Sequence, residues 1–324
     1  MASSTRNGSR FTRRILWLAA GITILVLAYT LTWYYLAQAL EQRAAAAVED
    51  LNGNGVRAHC EEAQAQGYPF RIGIACRSVF YENSGKGLSV RAGAMRSLAN
   101  VYQPFTVFSE FTDPADITLP VFHPFKAQWK NLQASTRLSD PFPEQISVEG
   151  EGVVVSDNRD RGLGEVESLQ LHVRQRGADA DLAISFREFL FNPEIATVPA
   201  LEGRAQAIVE NGVALLETGA LAPRDQSAVI EEMVVGVVGE ETEVSLSGPV
   251  SVDESGLIDA ELTIRFTDAA TVARILADAV PEARGQIASA ATVLGNLDNT
   301  PIQLKIVRGR VFLGFIPLGQ IPAI

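Results

Sequence analysis

The sequence predicts an α+β protein in which an N-terminal transmembrane helix and stalk carry a large, curved, mostly antiparallel β-sheet body with a few packing helices. Three observations predict it: an uncharged run near the N-terminus, many short alternating apolar segments separated by turn residues, and only three later stretches with a helical period. With 324 residues and 47% apolar content, the chain can build one large domain or two smaller ones.

The helix comes first. From Ile15 to Leu36, ILWLAAGITILVLAYTLTWYYL, 22 residues pass without a charge, enough to cross a hydrocarbon layer of about 30 Å. Arg6, Arg10, Arg13 and Arg14 precede this span and Glu41 follows it, so the positive-inside rule leaves residues 1–14 in the cytoplasm and exports the body. Trp33, Tyr34 and Tyr35 fall where an interfacial aromatic belt sits. The competing reading is a cleaved signal peptide with Ala37-Gln38-Ala39 at its end, but the apolar run exceeds the roughly 7–15 residues of such a segment. Leu40, Ala44, Val48 and Leu51 recur every three to four residues, so the helix is expected to continue through residues 37–55 until Asn52-Gly53-Asn54-Gly55 stops it. From Ile15 to Leu51 it would be roughly 55 Å long at about 1.5 Å per residue, a stalk able to hold the body clear of the headgroups.

The chain's two cysteines come next, Cys60 and Cys76, with Gly67-Tyr68-Pro69 midway between them. Gly and Pro are turn residues, and Phe70, Ile72, Ile74 and Cys76 then alternate with Arg71, Gly73, Ala75 and Arg77 as in a half-buried strand. A hairpin centred on Tyr68 would set Cys60 opposite Cys76, and in an oxidising compartment the pair would form a disulfide. Buried free thiols and a metal pair are the alternatives; His59 with two thiols falls short of a four-ligand site.

From residue 56 to 324 the chain reads mainly as strands. Alternation marks Leu88-Val90-Ala92, Leu169-Leu171-Val173, Leu182-Ile184-Phe186, Val244-Leu246 and Leu262-Ile264-Phe266, with turn residues between them. Three helices are expected: Asp225 to Val238, with Val229, Ile230, Met233, Val234 and Val237 on one stripe; Ala269 to Ala279, capped by Asp268; and Pro281 to about Leu294. Pro193, Pro199 and Pro223 mark a division into two lobes, residues 56–192 and 224–324.

Gly67-Tyr68-Pro69-Phe70-Arg71, the charge-free N-terminal helix, and the ending Arg308-Gly309-Arg310-Val311-Phe312-Leu313-Gly314 followed by Ile316-Pro317-Leu318-Gly319 resemble the bacterial domain-of-unknown-function 2125 family. The resemblance runs from the anchor to the C-terminus. It implies an envelope protein of Gram-negative bacteria, held in the inner membrane through residues 15–36, with its body in the periplasm. It carries over no catalytic residues. The style of a tethered, strand-rich body is also similar to that of AsmA-like envelope proteins linked to lipid handling, by analogy of architecture alone.

No arrangement of residues suggests catalysis. His59, His123 and His172 lie in no metalloprotease frame and near no nucleophile turn; Gly85-Lys86-Gly87 lacks the flanking residues of a phosphate loop. The acidic groups at Glu231-Glu232 and Glu240-Glu241-Glu243 read as solvated. No cofactor and no metal site is expected. The net charge is −11, and beyond the four N-terminal arginines 23 basic residues face 38 acidic ones, which disfavours nucleic acid and anionic lipid surfaces as partners of the body. Two functions lead, a non-catalytic structural or interaction module of the envelope with a protein partner, or a lipid-binding protein using an apolar groove; a hydrolase using scattered carboxylates ranks third. Phe312, Phe315, Ile316 and Leu318, in the uncharged C-terminal run, are candidate lining residues for the groove.

Overall fold

The computed structural model describes residues 8–324 apart from Asn54, Val121, Pro141, 219–223, 280–284, 286–298, Phe315 and Ile324. Helix α1 (Gly8–Leu51) is continuous, and the expected stop at Asn52 holds. Its apolar stretch is long enough to span a membrane. The expected stalk does not stand free: its outer half runs beside the first strands, where the Glu41 carboxylate accepts a hydrogen bond from the Ala65 N–H at 2.6 Å.

Everything after α1 is built on one sheet of 20 strands. Five passes are each broken once: β1 (Val56–Cys60) with β2 (Gln64–Gln66), β3 (Arg71–Cys76) with β4 (Val79–Asn83), β5 (Leu88–Ala92) with β6 (Met95–Asn100), β7 (Gln103–Phe111) with β8 (Ala115–Leu119), and β9 (Phe122–Gln128) with β10 (Asn131–Arg137). Ten unbroken strands follow: β11 (Gln145–Asp157), β12 (Gly162–Arg176), β13 (Asp179–Phe191), β14 (Leu201–Val209), β15 (Gln226–Val237), β16 (Glu243–Val252), β17 (Ile258–Thr267), β18 (Ile302–Val307), β19 (Arg310–Leu313) and β20 (Ile316–Gln320). Each pass pairs antiparallel with its sequence neighbours, as β1–β4 and β2–β3 illustrate, so the body is an up-and-down meander of fifteen passes. Neighbours in sequence are neighbours in space, which spares long loop closures. The pairing of β13 with β14 carries the sheet unbroken across the expected lobe boundary.

The breaks line up. Arg77 N–H donates to Glu61 O, Gly93 N–H to Pro114 O and Lys130 N–H to Glu151 O, so the irregular residues of successive passes lie side by side in a crease across the strands. The crease continues at Gly152 (φ 57) in β11 and Glu188 (φ 50) in β13. Irregularities of this kind bend a strand and sharpen its twist. At Gly93 a Cβ would sit 2.7 Å from the Thr112 carbonyl oxygen, so the passes approach there more closely than any larger residue allows.

One expected helix is a strand. Asp225 to Val238 contains β15, whose pairing with β16 shifts register between Ile230 and Met233. The extra residue turns an alternating pattern into the spacing i, i+3, which mimics a helical stripe, while the run of valine and isoleucine favours extended backbone. Two short helices remain among the described residues: α2 (Gly212–Thr218), against β13, and α3 (Ala269–Ala279), where the Asp268 carboxylate accepts the Thr271 N–H at 3.2 Å as expected. The helix expected from Pro281 lies outside the described residues save Gly285.

Candidate functional site

From β11 to β18 the two faces of the sheet differ in chemistry, one largely apolar and the other carrying the charges together with exposed Val154, Leu190 and Val229. Cross-strand partners trace uninterrupted apolar rows on one face. One row runs Val148, Leu171, Ile184, Ala205, Met233, Leu246, Ile264 and Ile302 through strands β11 to β18. Its neighbour on one side includes Gly150, Leu169, Phe186, Gly203, Val235, Val244 and Phe266, and on the other Ile146, Val173, Leu182, Ala207 and Ile230. Bulges at Glu188 and between Ile230 and Met233 keep the apolar residues in phase where strict alternation would have turned them outward. The opposite face carries ion pairs such as Arg57–Glu82 (2.7 Å), Arg204–Glu232 (3.0 Å) and Lys305–Glu261 (2.6 Å). Each partner holds the other's charge: the hydrogen bond from Lys305 draws the Glu261 carboxyl below its ordinary value, and Glu261 raises Lys305.

The apolar face is closed at both ends and open between. In the creased passes Ala92, Ala115 and Ala127 are buried on this face. Towards the C-terminus, Val272 and Ala269 of α3 pack with Phe266, Val244, Ile264 and Ile302, and Ala260, Leu262 and Ile306 form a second cluster beside Ile321. Between them, on β12, β13 and β15, Leu171, Ile184 and Met233 are 38%, 41% and 38% exposed. Interior strands of a soluble sheet bury such positions against a second layer. Here the lane has aromatic walls, with Phe186, Phe189 and Phe191 in successive edge-to-face contact. At about 4.8 Å per strand, the thirteen passes from β1/β2 to β18 give the apolar face a breadth of roughly 58 Å along its surface.

Beside the first pass, the Gly-Tyr-Pro-Phe-Arg turn grips α1. Tyr29 donates its hydroxyl hydrogen to Pro69 O, Trp33 donates its indole N–H to Arg71 O at 2.9 Å, and the Thr30 and Tyr68 hydroxyls lie 2.9 Å apart. The Trp33 and Tyr68 rings meet edge to face at 5.4 Å, and Trp33 and Ala37 are buried. Gly67 has φ 113, and a Cβ would come within 2.9 Å of Arg71 atoms, so the turn closes only with glycine. This role was not legible beforehand, because nothing in a turn's composition says which helix it meets.

Cys60 and Cys76 form a disulfide with Cα atoms 5.4 Å apart, on the apolar face beside the crease. The hairpin is not centred on Tyr68: Cys60 pairs with Val79 and Gln66 with Gly73, which moves the midpoint between Pro69 and Phe70. The break at Glu61–Ala63 brings the two sulfurs together across the offset. The C-terminal groove candidates fall elsewhere. Phe312 pairs with Lys305, on the charged face, and Leu318 is an exposed residue of the edge strand β20; Phe315 and the Ile316 side chain lie outside the described set. The lane residues were visible in the sequence as alternating strands, but the exposure of Leu171, Ile184 and Met233 was not, since it depends on what fails to cover them. Among the described residues no three His, Cys, Asp or Glu side chains gather as metal ligands.

Together these features define a class: a protein with a helix suited to anchoring it in a membrane, an apolar lane along one face of a single meandering sheet, and charge on the other. The chain belongs to the family described as uncharacterized proteins conserved in bacteria (DUF2125), whose pattern matches residues 33–322 and so takes in Trp33, the turn that grips it, and the whole sheet. No curated protein and no solved structure matches it.

Proposed function

We propose that the protein is a non-catalytic lipid-binding component of the bacterial envelope, fixed in the inner membrane by α1 with its body in the periplasm, and that acyl chains lie along the lane. One observation carries this reading: Leu171, Ile184 and Met233, in one cross-strand row of interior strands with Ala205 between the last two, remain more than a third exposed. An apolar surface left open among the described residues is suited to an apolar occupant. The disulfide fits an oxidising compartment. A scaffold that holds a partner at a set height draws less support, because α1 lies along the sheet edge and does not act as a spacer.

The test is photocrosslinking of the full chain, in phosphatidylethanolamine and phosphatidylglycerol vesicles, to phospholipid with a photoreactive acyl chain. Peptides spanning Leu169–Val173, Leu182–Phe186 and Met233–Val235 are expected to carry the lipid, and Ile184→Asp to remove most of that signal. Crosslinks confined to α1 would refute the reading.

A further inference from the structure

The ends of the passes are not alike, and the difference lies next to the anchor. At the end of the sheet that holds the Gly67–Phe70 turn, successive connections fall at residues 67–70, 101–102, 138–144, 177–178, 210–225, 253–257 and 308–309. The first three carry exposed apolar side chains: Phe70 at 71%, Tyr102 at 74% and Phe105 at 69%, joined by Val101 and Leu138. They form one patch, since Val101 N–H donates to Phe70 O and Leu138 N–H to Phe105 O. Of the later connections at the same end, those at 177–178, 253–257 and 308–309 carry or adjoin Arg176, Asp179, Asp253, Glu254 and Arg308, and that at 210–225 holds the short helix α2. At the opposite end the connections at 84–87 and 158–161 are polar, and Phe122 is an isolated exposed aromatic.

The depth of the patch is set by α1. Pro69 is bonded to Tyr29 and Arg71 to Trp33, within the uncharged run that ends at Leu36. Tyr29 precedes Trp33 by four residues, or roughly 6 Å of helix rise, so the turn meets the helix at its aromatic belt and just below it. Phe70 follows directly, and the other two tips are its neighbours across the strands. With residues 15–36 across a bilayer, these tips come to the boundary between the headgroups and the acyl chains.

We infer that the β2–β3, β6–β7 and β10–β11 tips insert into the outward-facing leaflet of the membrane that α1 spans, with the acyl layer of that leaflet as the partner of Phe70, Tyr102 and Phe105. The body thus has two attachments, a spanning helix and a wedge of three hairpin tips. The inference rests on the contacts of α1 with the turn and not on what occupies the lane, so the two readings fail separately.

Both native cysteines are bonded, so a single introduced thiol can be labelled selectively. Tyr102→Cys and Phe105→Cys in the full chain, each carrying a bimane label, are reconstituted in phosphatidylethanolamine and phosphatidylglycerol vesicles doped with phosphatidylcholine bearing a nitroxide on its acyl chain. Leu31→Cys on α1 and Ser84→Cys at the far end set the scale. Quenching of both tip labels comparable with that at Leu31, and several-fold above that at Ser84, is expected. Tip labels that behave like Ser84 and yield to aqueous iodide would overturn the insertion, whatever the lane binds.

Discussion

The creased passes and the unbroken strands beyond them share one apolar face and treat it in opposite ways. In the first region the sheet bends along a line of bulges and hides small residues: Ala92, Ala115 and Ala127, on successive passes, are 8%, 4% and 7% exposed. In the second, larger residues in a different cross-strand row of the same face, on β12, β13 and β15, stay open. Alanine permits two parts of a sheet to approach, whereas leucine, isoleucine and methionine fill the space over their own strand and hold it apart. The contrast teaches that the same meander buries small residues where its passes are creased and leaves large apolar ones exposed where they are not.

The widest separation between the regions should come from a charge placed in each. Ala115→Asp buries an unpaired carboxylate and is expected to cost on the order of 3 kcal/mol or more, seen as a large drop in the denaturation midpoint of the full chain. Ile184→Asp, at an open position, should cost about 1 kcal/mol or less while abolishing lipid crosslinking. Equal destabilisation by the two would erase the distinction between core and lane.

Next in size is the disulfide. Cys60→Ser with Cys76→Ser removes a link closing a 16-residue separation, which the chain-entropy account values at about 3 kcal/mol before any relief of strain. The loss should be local: faster amide exchange in β1 to β4 and at the α1 socket, with β12 to β15 unchanged. A uniform increase across the sheet would mean that the creased region and the lane open as one unit.

Much of this was legible in the sequence, and the limits have physical causes. The span at Ile15–Leu36, the stop at Asn52, the strands at Leu88, Leu169, Leu182, Val244 and Leu262, the cap at Asp268 and the cysteine pairing all arise from local rules of period, turn and redox chemistry. β15 was misread because its bulge gave Ile230 and Met233 a helical spacing. The same device acts at Phe186 and Phe189, three apart and both on the apolar face. Groove residues were sought in the C-terminal run, where apolar density is highest, yet Phe312 lies opposite Lys305. Density reports how apolar a segment is, while the face each side chain takes depends on register with partners far along the chain.

The smallest expected difference is in acid. Asp157, in the turn between β11 and β12, accepts backbone N–H groups of Arg161 and Arg159, which hold its carboxyl below the ordinary value of 3.8. Asp253, between β16 and β17, is lowered by the Ser255 hydroxyl and the Leu257 N–H, and Asp268, at the start of α3, by Thr271. A carboxyl whose folded value lies below its unfolded one stabilises the fold above the unfolded value, and that contribution is lost as pH falls through the folded value. The window is therefore below about pH 4. These three turns all serve the unbroken strands, whereas the first three hairpin tips close without such carboxylates. Between neutral pH and about pH 3, amide exchange should rise first at residues 157–161, 253–257 and 268–272, ahead of 67–71 and 101–103. Asp253→Asn should show the raised exchange at 253–257 already at neutral pH, with little further change in acid. If the 67–71 turn loosens first, its grip on α1 is the weakest point of the fold, and the creased region is less firmly closed than its buried alanines indicate.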